Sequence, residues 1–139
     1  MSNNATIDIN GGSRPHKNAR GDIMWKLPTN IVHRIDGPAI EYRGGDKEWA
    51  QNGHLHRTDG PAVDWADGTQ EWYLYDKRHR TDGPAVEYPD GSQEWWFEGK
   101  RHRADGPAII RASGFKAWFF NGTEIDQFTS WVLTKKEVV

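Results

Sequence analysis

Apolar and polar positions alternate with a period of two along most of this chain. Ala85-Val86-Glu87-Tyr88 is one such run, and Gln93-Glu94-Trp95-Trp96-Phe97 is its return partner. Between them Asp90-Gly91 supplies a hairpin turn that needs positive φ. A second turn signal comes at Glu98-Gly99, with Asn52-Gly53 and Asn121-Gly122 in the same slot elsewhere. Neither half of this unit contains a 3.6-residue apolar pattern. Two short antiparallel strands per unit are predicted.

The unit repeats. His33-Arg34, His56-Arg57, His79-Arg80 and His102-Arg103 are spaced by 23 residues, and each opens the phrase His-Arg-x-Asp-Gly-Pro-Ala. Trp49, Trp72, Trp95 and Trp118 keep that spacing, as do Gly45, Gly68, Gly91 and Gly114. A partial unit precedes them, because Arg20-Gly21-Asp22 with Trp25 echoes Arg43 to Trp49. The expected fold is therefore mainly β, an elongated, twisted antiparallel β-meander of 23-residue hairpin repeats with a short C-terminal capping helix. Three segments follow from this reading. Residues 1–22 are polar and expected to be loosely ordered. Residues 23–125 form the repeat domain, with a partial unit at 23–32 and full units starting at 33, 56, 79 and 102. Residues 126–139 are the capping helix and tail.

Period two then assigns faces. Trp49, Trp72, Trp95 and Trp118 share one side with Leu74, Phe97 and Phe120, and this ladder is expected to be the core seam. Glu48, Glu71 and Glu94 lie on the other side with Tyr73, Trp96 and Phe119, an aromatic strip on the face that a single-layer sheet leaves open. Pro38, Pro61, Pro84 and Pro107 cannot donate to a ladder, so each Gly-Pro marks a bulge or kink. Asp36, Asp59, Asp82 and Asp105 are expected to accept backbone hydrogen bonds at these bends. Arg34, Arg57, Arg80 and Arg103 are expected to pair with carboxylates on neighbouring strands.

The fourth unit differs. Ile110-Arg111 replaces the acidic-aromatic pair of its siblings, and Ala117 replaces the Glu before Trp. Downstream, Phe128, Trp131 and Val132 fall at i, i+3 and i+4, with Thr123 or Asp126 as N-cap. A helix there would fold onto the last repeat and protect its edge.

Composition changes the picture in two ways. Leu, Ile, Val and Phe make up only 24 of 139 residues and mean hydropathy is −0.90, which raises the question of disorder. Eight Trp and a net charge of −2 argue against it, because the chain carries large apolar rings and little self-repulsion. No apolar run approaches the ~20 residues of a membrane span. The N-terminal stretch is polar and unlike a secretory signal, and the absence of Cys excludes disulfides and thiolate chemistry. A pI near 6.3 does not suit generic nucleic-acid binding. The expectation is a cytoplasmic protein.

Candidate chemistry is sparse. Equivalent His residues one repeat apart lie two strands, or ~9.6 Å, from each other, too far to share a metal. Only His54 and His56 could reach one ion, and they lack a third ligand, so no metal or other cofactor is expected. A repeated His, Arg and Asp spells periodic structure, whereas an active site is a single constellation, so no catalytic residues are assigned. The basic turns Lys77-Arg78 and Lys100-Arg101 are the remaining candidates. With Tyr73, Trp96 and Phe119 they compose the expected partner-binding surface, because aromatics and Arg dominate interaction hot spots. Arg20-Gly21-Asp22 matches the integrin tripeptide by chance.

The phrase Asp-Gly-Ser-x-Glu-Trp-Trp-x-x-Gly-Lys-Arg-His-Arg from Asp90 resembles the MORN repeat, whose period is also near 23. It is most similar to the variant carrying His-Arg-x-Asp-Gly-Pro-Ala, found in phage, large-virus and antitoxin-like bacterial proteins. The resemblance spans residues 33–125. It departs from standard MORN units in having Arg-x-Asp-Gly-Pro where Gly-x-Gly follows His. It implies stacked β-hairpins acting as a non-catalytic scaffold that binds a host-encoded protein partner, as a phage inhibitor of a host defence factor would. Two alternatives stand beside that expectation. One is sequestration of a nucleotide-like ligand through Trp and Arg; the other is an antitoxin-like or structural bridging role. Open sheet edges allow homo-oligomers in each case.

Overall fold

The structure, a computed structural model, describes residues 8–137. The first seven residues of the segment expected to be loosely ordered, and residues 138–139 of the tail, lie outside the described residues. The elements are β1 (Arg14–Lys17), β2 (Ile23–Lys26), β3 (Ile40–Glu41), β4 (Lys47–Glu48), β5 (Ala50–Gln51), β6 (His54–Leu55), β7 (Val63–Asp64), β8 (Gln70–Glu71), β9 (Tyr73–Leu74), β10 (Lys77–Arg78), β11 (Val86–Glu87), β12 (Gln93–Glu94), β13 (Trp96–Phe97), β14 (Lys100–Arg101), β15 (Ile109–Ile110), β16 (Lys116–Phe120), β17 (Thr123–Ile125) and α1 (Gln127–Glu137). The fold is mainly β, an elongated antiparallel meander with a short C-terminal helix.

One eleven-stranded sheet runs in the order β1-β2-β3-β4-β7-β8-β11-β12-β15-β16-β17. The pairs β5-β6, β9-β10 and β13-β14 form separate small hairpins beside it. Each full repeat up to the third thus contains four strand pieces where two are predicted, and the break falls at Trp. The Trp49 N–H donates to Ala62 in the following repeat, while the Trp49 carbonyl accepts from His56 in its own hairpin. Trp72 and Trp95 make the equivalent bonds with Ala85 and His79, and with Ala108 and His102. The strand changes partner at Trp, so sheet and hairpin cannot share one continuous ladder.

The hairpins are themselves tied together. The segments that leave one hairpin bond to the next: Arg57, Arg80 and Arg103 donate their backbone N–H to Tyr73, Trp96 and Phe119 of the hairpin that follows. Each hairpin turn has two residues of positive φ, as Asn52-Gly53 (51° and 82°) illustrates. Tyr75 and Asp76 adopt the same conformation without Gly, at 46° and 66°. Asp76 compensates by accepting from the Leu55 N–H at 2.7 Å and pairing with His54 Nδ1 at 2.6 Å.

The core differs from the expected Trp seam. Ala39, Ala62, Ala85 and Ala108 are fully buried, together with Val63, Val86 and Ile109. Trp49, Trp72, Trp95 and Trp118 are only half-buried. A thin sheet brings its backbones too close for a large ring at the centre, and the methyl of Ala fits where the Gly-Pro bend presses against the next strand. The rings lie beside that seam.

Both ends of the meander are finished. At the start, β1 forms inside the stretch expected to be loosely ordered, pairing Arg14–Lys17 with Ile23–Lys26. Pro15 sits on this edge strand, where a missing N–H is tolerated. Asn10 is buried, and its side-chain oxygen accepts from Ile35 N at 2.7 Å, covering the first loop. At the other end α1 packs on β16. Asp126 is the N-cap, accepting from Thr129 N at 2.6 Å. The Thr134 hydroxyl donates to the Ala104 carbonyl, and Ser130 is buried one turn earlier. Phe128 and Trp131, expected to face the last repeat, are instead 71% and 57% exposed and stack on each other. Contact through Ser130 and Thr134 seats the helix close to the loop, which turns the aromatic pair outward.

Candidate interaction surface

The repeated phrase builds a clamp. In each loop the Arg guanidinium lies over a Trp ring: Arg34 on Trp25, Arg57 on Trp49, Arg80 on Trp72 and Arg103 on Trp95, with Cζ 3.9–4.1 Å from the ring centroid. Its Nε donates to the Asp two residues on, at 2.8–2.9 Å, and its Nη1 to the Pro carbonyl four residues on, at 3.0–3.2 Å. The far side is closed by Gly: a β-carbon at Gly37, Gly60, Gly83 or Gly106 would lie 2.8–3.1 Å from the guanidinium carbon. His-Arg-x-Asp-Gly-Pro is therefore one stacked unit, and under Arg34 the place of the repeat Trp is taken by Trp25.

Two expectations change here. Asp36, Asp59, Asp82 and Asp105 do hold the bends, but through the guanidinium. That hydrogen bond holds the Asp36, Asp59 and Asp82 carboxyls below the ordinary carboxylate value. Among the described residues Arg34, Arg57 and Arg103 pair within their own loops and make no cross-strand ladder, while Arg80 adds a neighbouring-strand carboxylate, Glu87, at 3.1 Å. At Trp118 the equivalent position holds Asp126, the N-cap of α1, and not Arg.

His33, His79 and His102 accept at Nδ1 from the N–H of Asn52, Glu98 and Asn121, each at 3.0 Å. An accepting Nδ1 carries no proton, so the geometry assigns the ring N–H to Nε2. His56 occupies the same place, but its buried Nδ1 has no hydrogen-bond partner among the described residues, and its ring lies 4.0 Å from that of Tyr75. Burial pushes its pKa down. His54, the other half of the one conceivable metal pair, is engaged with Asp76. Among the described residues no group of three or more His, Cys, Asp or Glu could hold a metal ion.

The aromatic strip forms the second constellation. Arg78 lies between Tyr73 and Trp96, 5.7 and 5.2 Å from their centroids, and Arg101 lies between Trp96 and Phe119, at 4.8 and 5.7 Å. The five side chains interleave in one row because Tyr73 is directly opposite Arg78, and Trp96 opposite Arg101, across their hairpins. Two buried carboxylates anchor the row. Glu71 accepts from the Trp65 indole at 2.9 Å, the Tyr73 hydroxyl at 2.9 Å and Arg78 at 2.7 and 2.9 Å. Glu94 accepts from the Trp96 indole at 2.9 Å and pairs with Arg111 at 2.8 Å and Arg101 at 3.5 Å. Burial pushes both carboxyls up, but these donors outweigh it and hold each below the ordinary value. The Tyr73 hydroxyl is pushed up to about 12, by burial first and then by its bond to Glu71. Arg111, in the slot of Tyr42, Trp65 and Tyr88, reaches back to the preceding unit's Glu94, which explains why the fourth unit dispenses with a Glu at Ala117.

Of the seven predicted surface residues, Tyr73, Arg78, Trp96, Arg101 and Phe119 form this row. Lys77 and Lys100 belong to the opposite strand face by register, facing Leu74 and Phe97. Both still line a shallow cleft of about 510 Å³ with Tyr73, Arg78 and Trp96. Asp76 and Glu98 line the same cleft, so the turns are less basic than the run of Lys and Arg implies. Glu71 and Glu94 were legible only as carboxylates beside Trp; that they organise the row depends on side chains from neighbouring strands.

No described helix is long and apolar enough to cross a membrane. No protein-family model matches the chain, and no curated protein matches it.

Proposed function

We propose that this chain is a non-catalytic repeat scaffold that binds a partner protein, in the manner of a MORN-like, phage-type inhibitor that occupies a host defence factor. The observation that supports the reading is the row Tyr73, Arg78, Trp96, Arg101, Phe119. It is half-exposed and held rigid by Glu71 and Glu94 before any partner arrives. Preorganised aromatic and Arg side chains lose little freedom on binding, which is the usual character of a hot spot. Lys77 and Lys100 rim the row and make no ion pair among the described residues, so an acidic partner surface complements them. Nucleotide sequestration is weaker as a reading, because the four loop arginines already donate to Asp and to Pro carbonyls.

Alanine at Arg78 or Trp96 would disturb the network, so the test uses the rim. Tagged wild type and a Lys77→Glu/Lys100→Glu variant are each used to capture proteins from lysate of the natural host. One protein retained near stoichiometrically by wild type and lost by the variant supports the reading. Equal retention by both, or none by either, overturns it.

A further inference from the structure

A different face carries a periodic set of clefts. Successive loops enclose three equivalent spaces of about 540, 560 and 590 Å³. Each has a Trp ring in its lining: Trp49, Trp72 and Trp95 in turn. Beside the Trp stands Gln51, Leu74 or Phe97, and these residues alternate along their strands with the Ala50, Tyr73 and Trp96 positions, so they project to the opposite face. The walls are the Arg-x-Asp-Gly bends. In them the guanidiniums of Arg57 and Arg80 are tucked against Trp, while the carboxylates of Asp59 and Asp82 are 82% and 83% exposed. The outward charge of each wall is therefore negative although the pair is neutral.

The spacing of these clefts is set by the sheet. Equivalent positions are two strands apart, because β4 and β8, or β8 and β12, are each separated by one strand in the sheet order. At ~4.7–4.9 Å per strand the step is ~9.4–9.8 Å. A polyproline II helix has three residues per turn and ~3.1 Å rise, a period of ~9.3 Å. Every third side chain of such a segment would meet successive clefts with a mismatch below ~1 Å over the full row. Proline on an indole face is the contact by which aromatic grooves capture such segments.

We infer that the three clefts form a docking groove for a proline-rich segment in polyproline II conformation, with proline at every third residue and basic residues between. The prolines seat on Trp49, Trp72 and Trp95, and the basic residues face Asp59 and Asp82. This site is separate from the aromatic–arginine row, and it stands whether or not that row binds a protein.

The test is fluorescence anisotropy of a labelled synthetic peptide with proline at every third position and arginine between, titrated with the full chain. A control peptide has the same composition with its prolines placed together. The variant Thr58→Lys/Thr81→Lys puts bulk and positive charge into all three clefts, at exposed positions that make no side-chain hydrogen bond. The expected result is saturable binding of the periodic peptide, at least ~tenfold weaker binding of the control, and a similar loss in the variant with an unchanged melting temperature. Absence of binding by wild type, or equal affinity for the two peptides, overturns the inference. Because that comparison needs only the wild-type chain, it decides the matter even where the variant is unstable.

Discussion

The Arg57 guanidinium carbon lies 4.1 Å from the centroid of the Trp49 ring, and the other side of the guanidinium rests on Gly60, where a β-carbon would stand 2.9 Å away. Stacking, the Asp59 carboxylate and the Pro61 carbonyl together satisfy one cation without removing its partner charge from water.

This geometry makes Gly60→Ala and Arg57→Ala non-additive. The added methyl displaces the guanidinium, so Gly60→Ala is expected to destabilise by about 1 kcal/mol, the scale of the lost cation–π contact. In an Arg57→Ala background the methyl has nothing to displace, and the second substitution becomes nearly neutral. Urea unfolding of the two single variants and the double variant measures the coupling. Simple additivity would show that Gly60 serves the bend alone.

Acid sensitivity should centre on Glu71 and Glu94. Their folded pKa values are lowered from 4.5, so their contribution is fully present above about that pH and is lost as pH falls through the lower folded values. The Asp36, Asp59 and Asp82 carboxyls are lowered from 3.8 by their arginines, and being exposed they add little. Glu94→Gln is expected to be about 2 kcal/mol less stable at neutral pH and to show a shallower fall in acid. Denaturant midpoints across the acid range check both. An unchanged acid slope would remove Glu94 as an anchor.

His56 should titrate apart from a free histidine. Burial lowers its pKa below 6.5, so the stability it gives as a neutral ring is complete above that value and is lost as pH falls through the folded one. The Cε1 proton resonance of His56, followed by NMR against pH, should show a midpoint below ~6.5. A midpoint above that value would mean that the ring has found an acceptor for its second proton.

The helix cap should depend on its polar face. Phe128→Ala and Trp131→Ala are expected to change stability by less than about 0.5 kcal/mol, since both rings are largely exposed. Thr134→Val removes the bond to the Ala104 carbonyl and is expected to lose about 1 kcal/mol. Thermal unfolding of the three variants ranks them, and the reverse order would place the aromatic pair against the last repeat.

The turns at Asn52-Gly53 and Asn121-Gly122 were legible because positive φ leaves few residue choices. The interleaving of Arg78 and Arg101 with Tyr73, Trp96 and Phe119 was half-legible: alternation puts Glu71 and Glu94 on the same face as the row, but does not say that they are buried there and hold it. The outward turn of Phe128 and Trp131 was not legible, because a three-four spacing marks a helix face without saying which surface that face meets.

By itself the sequence determined the repeat, its period of 23, the turn positions and the antiparallel meander, all consequences of local backbone preference and side-chain alternation. Tertiary structure alone decided that Ala rather than Trp fills the centre, that each loop Arg closes on the Trp of its neighbouring strand, and that each strand changes partner at Trp. Those outcomes depend on how closely two backbones approach at each bend, a distance set by packing between repeats that no single repeat encodes.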